Sequence, residues 1–273
     1  MELVPIRSLW GIAAPWQAAF PSINEAGYAG VEYFVPQGED LNRLQSLLAA
    51  HDLKFVPLIF TRGDSVKEHL ASFREQCERA ASLTPLRANC HAGRDAWSRE
   101  QSRHFFREAL AIGADLPFPL AFETHRARIF YNPWTTRDLC AEFPELQLTA
   151  DFSHWVVVCE RLLTTEADIV AECARRCIHI HTRVGYEEGP QVPDPRAPEY
   201  ARHLQAHESW WQQIWEAQVE RGLDALTFVP EFGPAPYQQT LPYTAAPVAD
   251  AAGICDWMQQ RQLERFRQWT GRQ

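Results

Sequence analysis

The chain has 273 residues, 46% hydrophobic and 22% charged, with a net charge of −9. That length and balance give a globular protein with a large core and exclude a disordered chain. The acid excess, with no lysine-rich run to offset it, disfavours a nucleic-acid backbone as partner, and no apolar run of about 18 residues exists to span a membrane.

In chain order, apolar strands alternate with amphipathic helices. The pattern predicts a first strand over Ser8 to Ala13 and a helix over Trp16 to Ala26, stopped by Gly27. A second strand covers Gly30 to Val35. Its helix, Asp40 to His51, has leucines at 41, 44, 47 and 48. The third strand is Lys54 to Phe60, and the helix after it runs to about Ser82 with Asp64 or Ser65 as its cap. Further strands are predicted at Leu86 to His91, Pro119 to Thr124, Leu146 to Asp151, Cys177 to Thr182 and Ala225 to Glu231. The helices between them cover Ser98 to Ile112, Thr135 to Glu142, Thr165 to Arg176 and Glu199 to Gly222, and a last one spans Asp250 to Trp269.

Eight strands alternating with helices over this length predict an α/β fold, a (β/α)8 TIM barrel. The expectation is a single domain over 1–273, with the barrel at about 8–232 and a C-terminal extension, 233–273, that carries an extra helix. The strands are continuous apolar runs, as a buried parallel sheet requires. An open doubly wound sheet is the rival, but no glycine-rich phosphate loop follows the first strand, which ends Gly11-Ile12-Ala13-Ala14-Pro15. Seven cysteines without a CxxC pair argue for reduced thiols. Met1-Glu2-Leu3-Val4-Pro5 lacks the basic and apolar regions of a signal peptide, so a cytoplasmic protein is expected.

In such a barrel, functional side chains gather at the C-terminal ends of the strands. The fourth strand ends Asn89-Cys90-His91 and the fifth Phe122-Glu123-Thr124-His125. The sixth ends Ala150-Asp151, with His154 just beyond. The seventh reads Ile178-His179-Ile180-His181, and the eighth ends Pro230-Glu231. Residues two apart on a strand share a face, so Glu123, Asp151, His181 and Glu231 can converge on one point. Alone, a glutamate at a strand end is ordinarily a salt-bridged loop residue, and His179 on an apolar strand a hydrogen-bonded core histidine. Four such residues at successive strand ends point to a site. Three carboxylates and an imidazole suit Mn²⁺, Mg²⁺, Co²⁺ or Zn²⁺, with manganese favoured. His154 is placed beside the ligands or against the substrate.

At these residues the chain resembles the xylose isomerase-like TIM-barrel superfamily. That group includes sugar isomerases, ketose 3-epimerases, inosose and dehydroshikimate dehydratases and endonuclease IV-type DNA-repair enzymes, the AP endonuclease family 2 relatives. Asp151-Phe-Ser-His154 is similar to its DxxH, His179-Ile-His181 to its HxH, and Glu123 and Glu231 to its two strand-end glutamates. The resemblance implies one divalent ion held by Glu123, Asp151, His181 and Glu231, with the two glutamates exchanging a substrate proton. Two departures stand out. Ile129 occupies the position where ketose epimerases carry another glutamate. The loop Val192-Pro-Asp194-Pro-Arg196 lacks the histidine of the trinuclear nuclease site.

The expected activity is isomerisation or epimerisation of a sugar or keto-sugar by proton transfer next to a carbonyl, through an enediolate. Glu123, Glu231 and His154 are the catalytic candidates. His91, His125, Arg126, Arg183, Arg196 and Trp10 are the substrate-binding candidates, the arginines by bidentate contact with an acidic group and Trp10 by stacking. The alternative is a dehydratase or lyase using the same site, with His154 or His125 as acid. An endonuclease IV-like nuclease and a non-catalytic sugar-binding barrel are further alternatives. The expected partner is a small sugar-derived molecule, with no membrane. The stretch Pro234 to Pro247 and the last helix could cover the barrel mouth of a second copy in a homo-oligomer.

Overall fold

Each strand is short and apolar on both faces because one face meets the barrel interior and the other meets a helix. The computed structural model describes residues 1–271, so the last two residues of the predicted C-terminal extension lie outside the described residues. Its strands are β1 (Glu2–Ser8), β2 (Gly30–Phe34), β3 (Lys54–Phe60), β4 (Ala88–His91), β5 (Leu120–Glu123), β6 (Leu148–Ala150), β7 (Cys177–His181) and β8 (Ala225–Val229). All pair in parallel, and β1 pairs with both β2 and β8, so the sheet closes on itself as a TIM barrel. The helices are α1 (Trp16–Glu25), α2 (Glu39–His51), α3 (Val66–Ala81), α4 (Arg99–Ala114), α5 (Pro133–Glu142), α6 (Ser153–Cys159), α7 (Ala167–Ala174), α8 (Ala201–Glu220) and α9 (Ala251–Thr270). Among the described residues, no helix is long and apolar enough to cross a membrane.

Local sequence accounts for most boundaries. Ser65 opens α3 with a reciprocal capping box to Glu68, and Ser98 opens α4 with the same device to Gln101. Such caps contribute about 1 kcal/mol each by satisfying free backbone N–H groups. Two elements differ from the sequence-based expectation. The first strand is Glu2–Ser8, not Ser8 to Ala13. Pro5, a residue that strand interiors disfavour, sits in the ladder with its carbonyl accepting from Ala29, and Gly11 at φ +82° turns the chain out of the strand. The short helix α6 follows directly on Asp151, where only a connection was expected.

Two kinds of packing hold the barrel. Inside it, Val4, Ile6, Val56 and Val229 form a small apolar plug. Outside it, strand faces meet the helices in a larger core that includes Phe73, Phe105, Phe106, Phe122 and Phe130, with Phe106 stacked on Phe130 at 4.7 Å. Trp211 and Trp215 of α8 are buried in the same core, and Trp215 meets Phe266 of α9 edge-on at 5.4 Å. All seven cysteines are free and buried.

Candidate active site

Above the apolar plug, the interior of the barrel turns polar. The alternation of each strand sends Glu32 of β2, Asn89 and His91 of β4, Glu123 of β5, and His179 and His181 of β7 inward. Asp151 and Glu231 follow just beyond β6 and β8. All eight are buried, and Glu32, Asn89, Asp151 and His179 have no exposed surface.

His181 is the centre of this cluster. Its Nδ1 lies 2.9 Å from Glu231 Oε2, 3.7 Å from Glu123 Oε2 and 3.9 Å from Asp151 Oδ2. The four residues singled out as ligands are therefore brought together around one nitrogen. Glu123 Oε1 is buried without a hydrogen-bond partner. Burial first, then repulsion from Glu123 and Glu231, pushes the Asp151 carboxyl up to about 6. Burial would also raise Glu231, but the charges of His181 and Arg183 outweigh it and hold Glu231 below the ordinary carboxylate range.

Arg183, one step past β7, enters the same cluster. Its Nη2 bonds Asp151 Oδ2, lies 3.2 Å from Glu231 Oε2 and is 2.9 Å from His154 Nε2. Ser153 donates to the other Asp151 oxygen from both its hydroxyl and its backbone N–H. The short helix α6 thus has a local cause, since the aspartate at its mouth holds its first residue.

A cavity of about 270 Å³ opens above the cluster. Glu123, Glu231 and Arg183 form its polar end, and Phe34, Leu58 and Phe60 form an apolar wall. Three imidazoles run along one side. His91 stacks on Phe60 at 3.9 Å and places Nε2 2.7 Å from Glu123 Oε2. His125 lies 4.5 Å from His91 and 3.8 Å from His154, ring centre to ring centre. Burial holds all three neutral: His125 is pushed down to about 3, and His91 and His154 fall well below the ordinary imidazole value. Trp10 and Tyr237 complete the lining, edge-on at 5.0 Å.

The candidate substrate residues divide. Trp10, His91, His125 and Arg183 line the cavity. Arg126 sits at its rim, its guanidinium over the Tyr237 ring at 5.2 Å. Arg196 does not join them. It is bonded side by side to Asp194, with Nε 2.8 Å from Oδ1 and Nη2 2.6 Å from Oδ2, and its side chain is 41% exposed.

Three residues of the site were not singled out in the sequence. Glu32 is a lone acid inside the apolar strand Gly30–Phe34, and that isolation was the available signal. Asn89 donates its amide to Glu123 Oε2. Tyr237 comes from the stretch after β8. The stretch folds over the mouth of its own barrel, clasped to the connection after β7. There, Gln191 accepts from Gly233 N at 2.8 Å and donates to Gly233 O at 3.1 Å, and Gln239 donates to the Tyr186 hydroxyl at 2.8 Å. The connection itself, although rich in proline, glycine and acids, buries Val184, Gln191 and Val192.

The family model described as xylose isomerase-like TIM barrel matches residues 20–241. No curated protein is significantly similar in sequence. Among solved structures, the probable 3-DHS dehydratase AsbF of Bacillus anthracis is similar, with 15% identity, a TM-score of 0.62, and coverage of 95% of this chain and 98% of that one. D-allulose 3-epimerase from Methylomonas sp. is similar with 16% identity, a TM-score of 0.61 and 98% coverage of both chains. AP endonuclease, family 2, from Brucella melitensis is similar with 13% identity, a TM-score of 0.59, and coverage of 94% and 97%. At these identities the likeness is one of fold, and the three names span three chemistries, so the site's own residues must decide the activity.

Proposed function

The chain belongs to the xylose isomerase-like TIM-barrel family, and from that premise we propose that it is a divalent-metal-dependent isomerase or epimerase of a sugar or keto-sugar. The observation that carries this reading is the convergence of three buried carboxylates on Nδ1 of His181. Four buried carboxylates, Glu32 included, outnumber the cations in direct contact with them among the described residues, Arg183 and a protonated His181, which leaves a surplus of negative charge out of water. Such a surplus is costly unless a cation offsets it. Glu123, Asp151, His181 and Glu231 would hold that cation, and their oxygen-rich donor set suits manganese. A divalent ion held there would supply a Lewis acid to adjacent oxygens of the substrate.

The remaining work falls to the chain's own side chains. Glu123 and Glu231 both line the cavity and reach the same centre from β5 and β8, so one can remove a proton from carbon while the other returns it. Return to the opposite face is epimerisation, and return to the neighbouring carbon is isomerisation. His91 holds Glu123 in place through Nε2. The wall of Phe34, Leu58 and Phe60 and the roof of Trp10 and Tyr237 exclude water and offer apolar faces to a sugar ring. Arg126 and Arg183 are placed to bind an oxygen-rich or acidic substituent.

Dehydration from the same site is the second reading, and its acid would be His154 or His125. Burial disfavours the protonated form of both imidazoles. The seven free thiols fit a reducing compartment, which supports a cytoplasmic protein.

The test is a metal-supplemented screen of keto-sugars, inososes and sugar phosphates in deuterated water, followed by proton NMR. The expected result is metal-dependent loss of one C–H signal next to a carbonyl. A folded, metal-loaded protein that exchanges no such proton in any of them overturns the proposal.

A further inference from the structure

Glu32 has no place in the chemistry described above. It lies deeper in the barrel than the cavity lining and touches the rear of two imidazoles. Its Oε2 is 2.9 Å from His179 Nε2 and 3.3 Å from His181 Nε2, and its Oε1 is 3.0 Å from the latter. On the far side of His179, Nδ1 meets the Thr227 hydroxyl at 2.5 Å. On the far side of His181, Nδ1 faces Glu231, Glu123 and Asp151.

We propose that Glu32 is a positioning residue that fixes the tautomer of His181, so that Nδ1 presents a lone pair to a metal ion. The inference rests on the metal-dependent reading above. Once the protonated His181 ring gives up one proton to ligate, the location of the other is set by the partner of the nitrogen that does not ligate. Two groups compete for Nε2 of His181. Glu32, an ionised carboxylate, only accepts, so it places the proton on Nε2. The Asn89 amide Nδ2, 3.3 Å from the same atom, only donates, so it favours the opposite tautomer. That tautomer would aim an N–H at three carboxylates and leave no lone pair for a cation.

Glu32 wins this competition for two reasons. Its bond is charge-assisted, and such bonds are roughly twice as strong as neutral ones. It is also the closer partner, 3.0 Å from Nε2 against 3.3 Å for the Asn89 amide. His179 locks the carboxylate in place, because the Thr227 hydroxyl can donate to Nδ1 while Nε2–H points at Glu32. One buried acid thus holds two rings, of which only His181 reaches the site.

Glu32→Gln keeps the volume and replaces an acceptor with a group that can also donate. The experiment titrates Mn²⁺ into metal-stripped wild type, Glu32→Gln and Thr227→Val by calorimetry. Alongside it, ¹⁵N NMR of the Zn²⁺-loaded wild type locates the imidazole protons. The expected results are a 10- to 100-fold weaker Mn²⁺ affinity for Glu32→Gln, an unchanged affinity for Thr227→Val, and a His181 proton on Nε2 in the wild type. Equal affinity in wild type and Glu32→Gln overturns the assignment. So does an equal loss in both variants, which marks a packing effect, and so does a His181 proton on Nδ1. The NMR result decides alone if Glu32→Gln fails to fold. A wild type that binds no ion overturns the metal-dependent reading itself, and the assignment with it.

Discussion

Arg183 and Asp151 form a directly bonded ion pair inside the barrel, with 2% of the arginine side chain and none of the aspartate side chain exposed. The guanidinium is anchored by three groups at once, Asp151, Ser153 and His154. It therefore ties the β7 end to the β6 end. Removing it strands a carboxylate that water cannot reach. Arg183→Met is expected to cost about 3–5 kcal/mol, as breaking a buried pair does. Urea denaturation monitored by tryptophan fluorescence measures this, and a loss under about 1 kcal/mol would show that the pair contributes little.

The metal reading makes a stoichiometric prediction. Purified wild type should contain about one divalent ion per chain by elemental analysis, the occupancy expected of a single closed donor set. Asp151→Ala should contain none while retaining its circular dichroism. An Asp151→Ala protein that keeps its ion would remove Asp151 from the donor set.

Glu123→Gln and Glu231→Gln change the proton-transfer groups with little change in shape. Each should lower the rate of C–H exchange by about 10²–10⁴-fold, the usual contribution of a positioned acid or base. If one variant retains full exchange at one carbon, that glutamate serves only the other half of the transfer.

Stability should fall as the solution is made acidic. Half-buried His125 and fully buried His207 are held neutral, with pKa values pushed down to about 3, against 6.5 in an unfolded chain. Between those values the unfolded chain binds protons that the folded chain does not. Stability is therefore highest above about pH 6.5 and drops as pH falls through this window, by about 1.4 kcal/mol per pH unit for each such histidine. Asp151, raised to about 6, offsets part of the fall below that pH. His207 bonds the Gly185 N–H and the His203 carbonyl, away from the cavity, so His207→Gln should flatten the profile without touching the site. Equal slopes in wild type and variant would place the acid sensitivity elsewhere.

The two loop arginines should behave differently. Arg126→Ala should raise KM because Arg126 stands at the cavity rim over Tyr237. Arg196→Ala should leave KM unchanged and alter stability by less than about 1 kcal/mol, because its pair with Asp194 is exposed. Steady-state kinetics on the substrate found by the exchange screen separates them.

Much of this architecture is legible in one sequence because a barrel repeats a local pattern. β3 is a run of apolar residues bounded by Asp52 and Gly63, and its predicted limits, Lys54 to Phe60, are the observed ones. The ligand candidates are legible for the same reason, since parallel strands that each end in a metal-ligating side chain from β4 onward deliver those side chains to one mouth. What stays hidden depends on contacts distant in sequence. Glu32 reads as one acid in a strand until β7 brings two imidazoles to it, 147 and 149 residues away. Arg196 is different, because its partner Asp194 is two residues away and pairing with loop acids is the other reading of that arginine. Tyr237 lies in a stretch with no periodicity, and only the clasp through Gln191 reveals its place.

That clasp separates two kinds of inheritance in the molecule. The barrel is closed by the ladder between β1 and β8, where Leu3 pairs with Leu226, and this closure does not involve residues 234–249. Those residues are largely exposed, apart from buried Gln238 and half-buried Tyr237 and Ala249, yet through Tyr237 they line the cavity. Substitutions there can accumulate without threatening the core, whereas changes among the strand-end acids disturb a buried charge balance. The roof segment can therefore change the shape of the cavity without disturbing the barrel that carries it.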